Sequence, residues 1–134
     1  MRVFAPSETL EAKAFVRWLG RQEQLLFSKI PIGDNLLTDK EGAKLRAMGV
    51  RRGVPDFIVV HVETGKLVFV EMKRRRGGKV SKSQKVWLRA MADYAIVAYG
   101  WHAARDYVKE KLLGKRTRKT EARRSMRKTR ADRK

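Results

Sequence analysis

The sequence predicts an α/β domain in which helices flank a mixed β-sheet, with the elements in the order α-β-β-β-α-β-α. Residues 57–62 (FIVVHV) and 67–72 (LVFVEM) are β-branched and aromatic runs joined by Glu63-Thr64-Gly65-Lys66, which is typical of a β-hairpin. A helical pattern and another strand follow. A strand, helix, strand succession predicts a parallel strand pair with a right-handed crossover. The sheet is therefore expected to contain both antiparallel and parallel pairs.

The first half of the chain begins with a helix that Ser7 caps and that ends near Gly20. Its apolar residues follow helical spacing. Residues 25–30 (LLFSKI) are a candidate strand that Pro31 ends, and the polar segment up to residue 55 has room for a short helix over about 39–48.

In the second half, Ser81 is the predicted cap of a helix over residues 81–94, with Val86 and Trp87 on its buried side. A strand over Ala95–Tyr99 ends at Gly100. A final helix over about residues 103–113 is expected to stop at Gly114.

Composition excludes several classes of protein. The 134 residues include no cysteine, which excludes disulfide frameworks, thiolate metal sites and cysteine nucleophiles. No apolar run approaches the ~20 residues that a membrane span needs, and the amino terminus lacks a secretory signal pattern. We therefore expect an intracellular protein, in the cytoplasm or nucleoid, without a membrane partner.

Charge points to nucleic acid as the partner. The 33 Lys and Arg against 14 Asp and Glu give a net charge of +19, and a basic protein gains affinity for polyanions by releasing their counterions. An anionic membrane surface is the alternative. Residues 115–134 carry eleven basic groups and two acids, so we expect one domain over 1–114 and a disordered basic tail that binds polyanions or merely aids solubility.

An acidic cluster at the hairpin is unexpected in so basic a chain. If Thr64-Gly65 is a two-residue turn, facing residues have numbers that sum to 129, and Asp56, Glu71 and Lys73 share one face of the sheet. Asp56 and Glu71 are then diagonal neighbours, with main chains ~7 to 8 Å apart. A one-residue slip of register would separate them.

Two adjacent carboxylates can share a hard cation such as Mg²⁺ or Mn²⁺, which prefers oxygen ligands. The main-chain carbonyl of Met72 is a candidate third ligand, and Lys73 can hold a water or a phosphate. This set of groups is suited to hydrolysis of a phosphodiester. The simpler alternative is a surface ion pair between Glu71 and Lys73.

The motifs around these residues resemble a known nuclease family. The Pro55-Asp56 entry to one strand and Glu71-Met72-Lys73 in the next are similar to the PD-(D/E)XK nuclease superfamily. The preceding sequence GVRRGVPD (49–56) and the following SKSQKVW (81–87) resemble its VRR-NUC branch over roughly residues 7–110. The resemblance implies a restriction-endonuclease-like core.

The resemblance also implies roles for residues. Asp56 and Glu71 would bind the divalent ion, Lys73 would position the attacking water, and Gln84 would orient water or phosphate. A glutamate of the first helix would complete the metal site; helical spacing favours Glu11, and Glu8 stays open. The residues expected to contact DNA are Arg51, Arg52, Arg74, Arg75, Arg76, Lys79, Lys82 and Lys85, although Arg51 and Arg52 could instead be merely solvated.

The function that follows is a Mg²⁺- or Mn²⁺-dependent DNA endonuclease. Stand-alone proteins of this kind resemble structure-selective enzymes of the Holliday-junction resolvase type, which implies branched DNA as substrate and a homodimer as the active form. The alternative is a non-catalytic, basic nucleic-acid-binding module whose acidic cluster is structural.

Overall fold

The computed structural model describes residues 5–31, 40–114, 126 and 128. The predicted fold class is confirmed, and the elements follow the predicted order with the short helix over residues 40–47 added between the first two strands. The helices and strands are α1 (Glu8–Gly20), β1 (Leu25–Lys29), α2 (Lys40–Ala47), β2 (Phe57–His61), β3 (Leu67–Lys73), α3 (Lys82–Met91), β4 (Ala95–Tyr99) and α4 (Trp101–Leu112), with a 3₁₀ turn at Ala92–Tyr94. The predicted tail over 115–134 lies outside the described residues except for Met126 and Lys128. Within the described ranges, no helix is long and apolar enough to cross a membrane.

The four strands form one mixed sheet in the order β1-β2-β3-β4. β1 and β3 each pair antiparallel with β2, and β4 pairs parallel with β3. α3 lies between the two parallel strands in the chain, as the predicted crossover requires. One sheet face packs on α1 and α4 through a core of Phe15, Leu19, Phe57, Val59, Val68, Val70, Met72, Ala98, Ala104, Tyr107, Val108 and Leu112.

The hairpin between β2 and β3 differs from the prediction. Phe57 pairs with Val70, so facing residues have numbers that sum to 127 instead of 129. The prediction of a two-residue turn was wrong, because four residues lie between His61 and Lys66. The main-chain N–H of His61 donates to the Lys66 carbonyl at 2.8 Å and closes this longer loop. The His61 ring accepts the Glu63 and Thr64 amides at 3.3 Å, which stabilises the longer loop.

The shift of register by two residues leaves the predicted site intact, because side chains alternate between faces with a period of two. Continuing the observed pairing by one residue brings Asp56 opposite Glu71. The two acids are thus direct rather than diagonal neighbours across the strands.

Candidate active site

Glu71 lies at the centre of a buried polar cluster at the carboxyl end of β3. Its side chain leaves the sheet on the face opposite the core, and the residue is only 2% exposed. Its Oε1 atom is 3.2 Å from the Lys73 ammonium and accepts a 2.8 Å hydrogen bond from Gln84 Nε2. Its Oε2 atom is buried and accepts no hydrogen bond from any residue that the structure describes. One oxygen of Glu71 is therefore fixed, and the other is left for a ligand.

Asp56 lies beside Glu71 at the entry to β2. Its Oδ2 atom accepts a hydrogen bond from the Met72 main-chain N–H at 2.8 Å, which fixes the carboxyl group against β3. Burial raises the pKa of Asp56, although the Met72 N–H and the Lys73 charge oppose the rise. The side chain of Met72 is buried in the core, on the other face of the strand.

The ionisation of Glu71 shows the cost of two adjacent acids. Burial and then the charge of Asp56 raise the pKa of Glu71 from its ordinary value of 4.5 to about 7, although the Lys73 ammonium opposes both effects. One cation, Lys73, thus does not balance the two carboxylates.

The raised pKa of Glu71 predicts a pH-dependent stability. In metal-free buffer, folded Glu71 keeps its proton between pH 4.5 and about 7 while the unfolded carboxyl releases it, so the free energy of unfolding should fall across this range by up to about 3 kcal/mol. Urea denaturation with EDTA, repeated at several pH values, measures this slope. Glu71→Gln should flatten it, and equal slopes for the two proteins would contradict the assignment.

The donor set fits a divalent cation. A hard cation would bind the Glu71 Oε2 atom and offset the repulsion between the Glu71 and Asp56 carboxylates. Within the described residues, no three His, Cys, Asp or Glu side chains lie together in an arrangement that could hold a metal. The candidate site therefore offers two carboxylates, and other ligands would have to complete the coordination. Two carboxylates with water in the remaining positions are typical of Mg²⁺ sites.

The two glutamates of α1 have different environments. Glu11 is 1% exposed; its Oε1 atom is 2.9 Å from Arg75 Nε and its Oε2 atom accepts the Trp101 main-chain N–H at 2.7 Å. Glu11 thus caps α4, and its hydrogen bond and ion pair within the described chain go to Trp101 and Arg75 rather than to Glu71 or Asp56. Glu8 is exposed, and its charge contributes to the raised pKa of Glu71.

Gln84 faces the site from the first turn of α3, and its role toward water or phosphate stays a prediction. Its amide nitrogen donates to Glu71, and its amide oxygen accepts the Ser81 main-chain N–H at 2.9 Å. Both ends of the amide are therefore engaged by protein atoms.

The expected DNA-contacting residues are all exposed. Two of them also make contacts within the protein. Arg51 donates to the carbonyls of Arg46 and Val50, and Arg75 pairs with Glu11 and contacts His102 Nδ1 at 3.1 Å. Within the described chain, six make no side-chain hydrogen bond or ion pair: Arg52, Arg74, Arg76, Lys79, Lys82 and Lys85.

Sequence reasoning missed two contacts near the site. The helical pattern places Trp87 on the buried side of its helix, and the structure adds that its indole N–H donates to the Arg52 carbonyl at 2.8 Å. Arg75 was interpreted as a DNA contact and also pairs with Glu11. The Ser-x-x-Gln spacing could have indicated the Gln84 capping box, whereas no local pattern distinguishes an indole that packs from one that donates.

Comparisons with known proteins identify a family and a similar fold. A family model for the VRR-NUC domain matches residues 7–104. A solved structure described as a VRR_NUC domain protein has a TM-score of 0.61 and 19% identity, covering 82% of this chain and 91% of that chain. Among curated proteins, no sequence gives a significant match.

Proposed function

We propose that this chain, which belongs to the VRR-NUC family, is a divalent-metal-dependent endonuclease that hydrolyses phosphodiester bonds in branched DNA. Family membership makes it a nuclease-type domain, and VRR-NUC nucleases act on DNA. The observation that carries the metal requirement is the pair of adjacent, buried carboxyl groups of Asp56 and Glu71, in which Glu71 Oε2 accepts no hydrogen bond from the described residues.

Each residue of the site would have a distinct role in hydrolysis. Asp56 and Glu71 would hold Mg²⁺ or Mn²⁺, with the Met72 carbonyl as a further oxygen ligand. The bound cation would lower the pKa of water and offset the charge that develops on the phosphate. Lys73, 8% exposed and held by Glu71, has further N–H donors with which to orient a water or a phosphate oxygen.

The exposed basic residues supply affinity for the DNA backbone. Lys82 and Lys85 lie on α3, whose first turn also carries Gln84 beside Glu71. Contacts of this kind position a duplex without recognising its sequence. Selection of branched DNA would then depend on shape, and two copies of the chain would bring two sites to opposed strands.

Glu8 and Glu11 should respond differently to mutation. Glu8→Gln should lower cleavage without lowering stability, since we propose Glu8 as the α1 residue nearest the cation. Glu11→Gln should destabilise the fold by about 1 kcal/mol, because it weakens a helix cap, and should retain cleavage in the folded fraction. Urea denaturation and cleavage rates measured on both variants check this; the reverse pattern would assign the role at the cation to Glu11.

A panel of DNA substrates tests the proposed function. The wild-type protein is incubated with linear, flapped and four-way DNA in Mg²⁺, in Mn²⁺ and in EDTA. We expect cuts in branched DNA in the presence of either metal and none in EDTA, with paired cuts on the four-way substrate. Salt-sensitive binding without cleavage of any substrate would instead indicate the non-catalytic nucleic-acid-binding module.

A further inference from the structure

α3 has no buried residue, although its first turn contacts the candidate active site. Trp87, Leu88 and Met91 are half-buried, whereas Val86, which the sequence places on the buried side, is 68% exposed, so that prediction was wrong. These partly buried apolar side chains pack one side of α3 against the rest of the domain. Polar and steric contacts at the first turn and at Trp87 add to this packing and fix the position of the helix.

The first contact is a hydrogen-bond relay through Gln84. Ser81 Oγ accepts the Gln84 main-chain N–H at 3.2 Å, and Gln84 Oε1 accepts the Ser81 main-chain N–H at 2.9 Å. These reciprocal bonds fix the Gln84 side chain in one orientation. Its Nε2 atom then donates to Glu71 Oε1 at 2.8 Å. The orientation of Glu71 therefore depends on the position of the α3 first turn.

The second contact joins α3 to the loop before Asp56. The Trp87 indole N–H donates to the Arg52 carbonyl at 2.8 Å. At Gly53, a Cβ atom would lie 2.3 Å from the Ser83 carbonyl carbon and 2.7 Å from the Gln84 nitrogen. Glycine at this position allows main chain to pack directly on main chain. Three residues later the same loop reaches Asp56.

We propose that the Arg52 carbonyl, Gly53 and Trp87 form a clamp that positions the Glu71 carboxylate relative to Asp56 by holding the Gln84 relay in place. The clamp rests on the proposed function, because the cation is what the two carboxylates are positioned to bind. Trp87 and Gly53 are positioning residues in this proposal, because they act on Glu71 through Gln84.

If the clamp positions Glu71, Trp87→Phe should weaken metal binding. Phenylalanine keeps an aromatic ring but removes the N–H donor. The dissociation constant for Mn²⁺, measured by calorimetry without DNA, should rise about fivefold, as expected for the loss of one hydrogen bond, and KM for DNA should not change. Trp18→Phe is the matched control, since Trp18 lies on α1 and its indole donates no hydrogen bond within the described chain; its Mn²⁺ affinity should match the wild type.

A double-mutant cycle separates positioning from general destabilisation. Gln84→Ala should weaken Mn²⁺ binding about 10- to 100-fold, as loss of a group that orients a metal ligand typically does. If Trp87 acts through Gln84, Trp87→Phe should have no further effect in the Gln84→Ala background. Additive effects in the cycle would overturn the proposal.

Gly53→Ala offers an independent test. Gly53 and Gly65 both have positive φ, +87° and +72°, but a Cβ at Gly65 would meet nothing within 4 Å. Both alanine variants therefore strain the backbone, and only Gly53→Ala should weaken Mn²⁺ binding. Equal Mn²⁺ affinities for wild type, Gly53→Ala and Trp87→Phe would overturn the clamp and leave the proposed function standing. Failure of the wild type to bind Mn²⁺ would overturn both.

Discussion

Asp56→Ala should abolish metal-dependent cleavage of branched DNA, lowering the rate at least about 1,000-fold, because it removes one of the two carboxylates that would hold the cation. DNA binding should persist or tighten, since the substitution removes a negative charge from a site that faces phosphate. Single-turnover cleavage and binding, measured on the same four-way substrate, separate the two effects.

Asp106→Ala is the matched control for Asp56→Ala. Asp106 is exposed on α4 and pairs only with Arg105 among the ion pairs of the described chain. Its removal should change neither cleavage nor metal dependence. Cleavage by Asp56→Ala at close to the wild-type rate would exclude Asp56 from the site.

Lys73→Met should lower kcat by about 100- to 1,000-fold, because a positioned donor is lost where charge develops on the phosphate. KM for DNA should change little, since Lys73 is 8% exposed and its ammonium is held 3.2 Å from Glu71. Lys109→Met, on the exposed side of α4, is a control that removes the same charge. A rise in KM with unchanged kcat would instead make Lys73 a binding residue.

The fold was predictable because its signals are local. Ser7 caps α1, and Gly100 separates β4 from α4. The length of the hairpin loop was not predictable, since it depends on two amide hydrogen bonds to the His61 ring. The prediction that Asp56, Glu71 and Lys73 share one face still holds, because the register differs by two residues and a shift of two keeps each side chain on its face.

The sequence could not decide which acidic residue of α1, Glu8 or Glu11, lies nearer the cation. Helical spacing favoured Glu11, since it lies in line with Phe15 on the buried side of α1. Burial on that side is what brings Glu11 to Arg75 and to the amide of Trp101, ninety residues later in the chain. Contacts across that separation are set by the packing of α1 against α4, so the local pattern did not separate Glu11 from Glu8.

The most direct test of the central claim is the position of a bound Mn²⁺ ion in crystals of the wild-type protein. An anomalous difference map should show one peak within coordination distance of both the Asp56 and the Glu71 carboxylates, with the Glu71 Oε2 atom as a ligand. Occupied Mn²⁺ sites elsewhere, with no peak between these two carboxylates, would contradict the account.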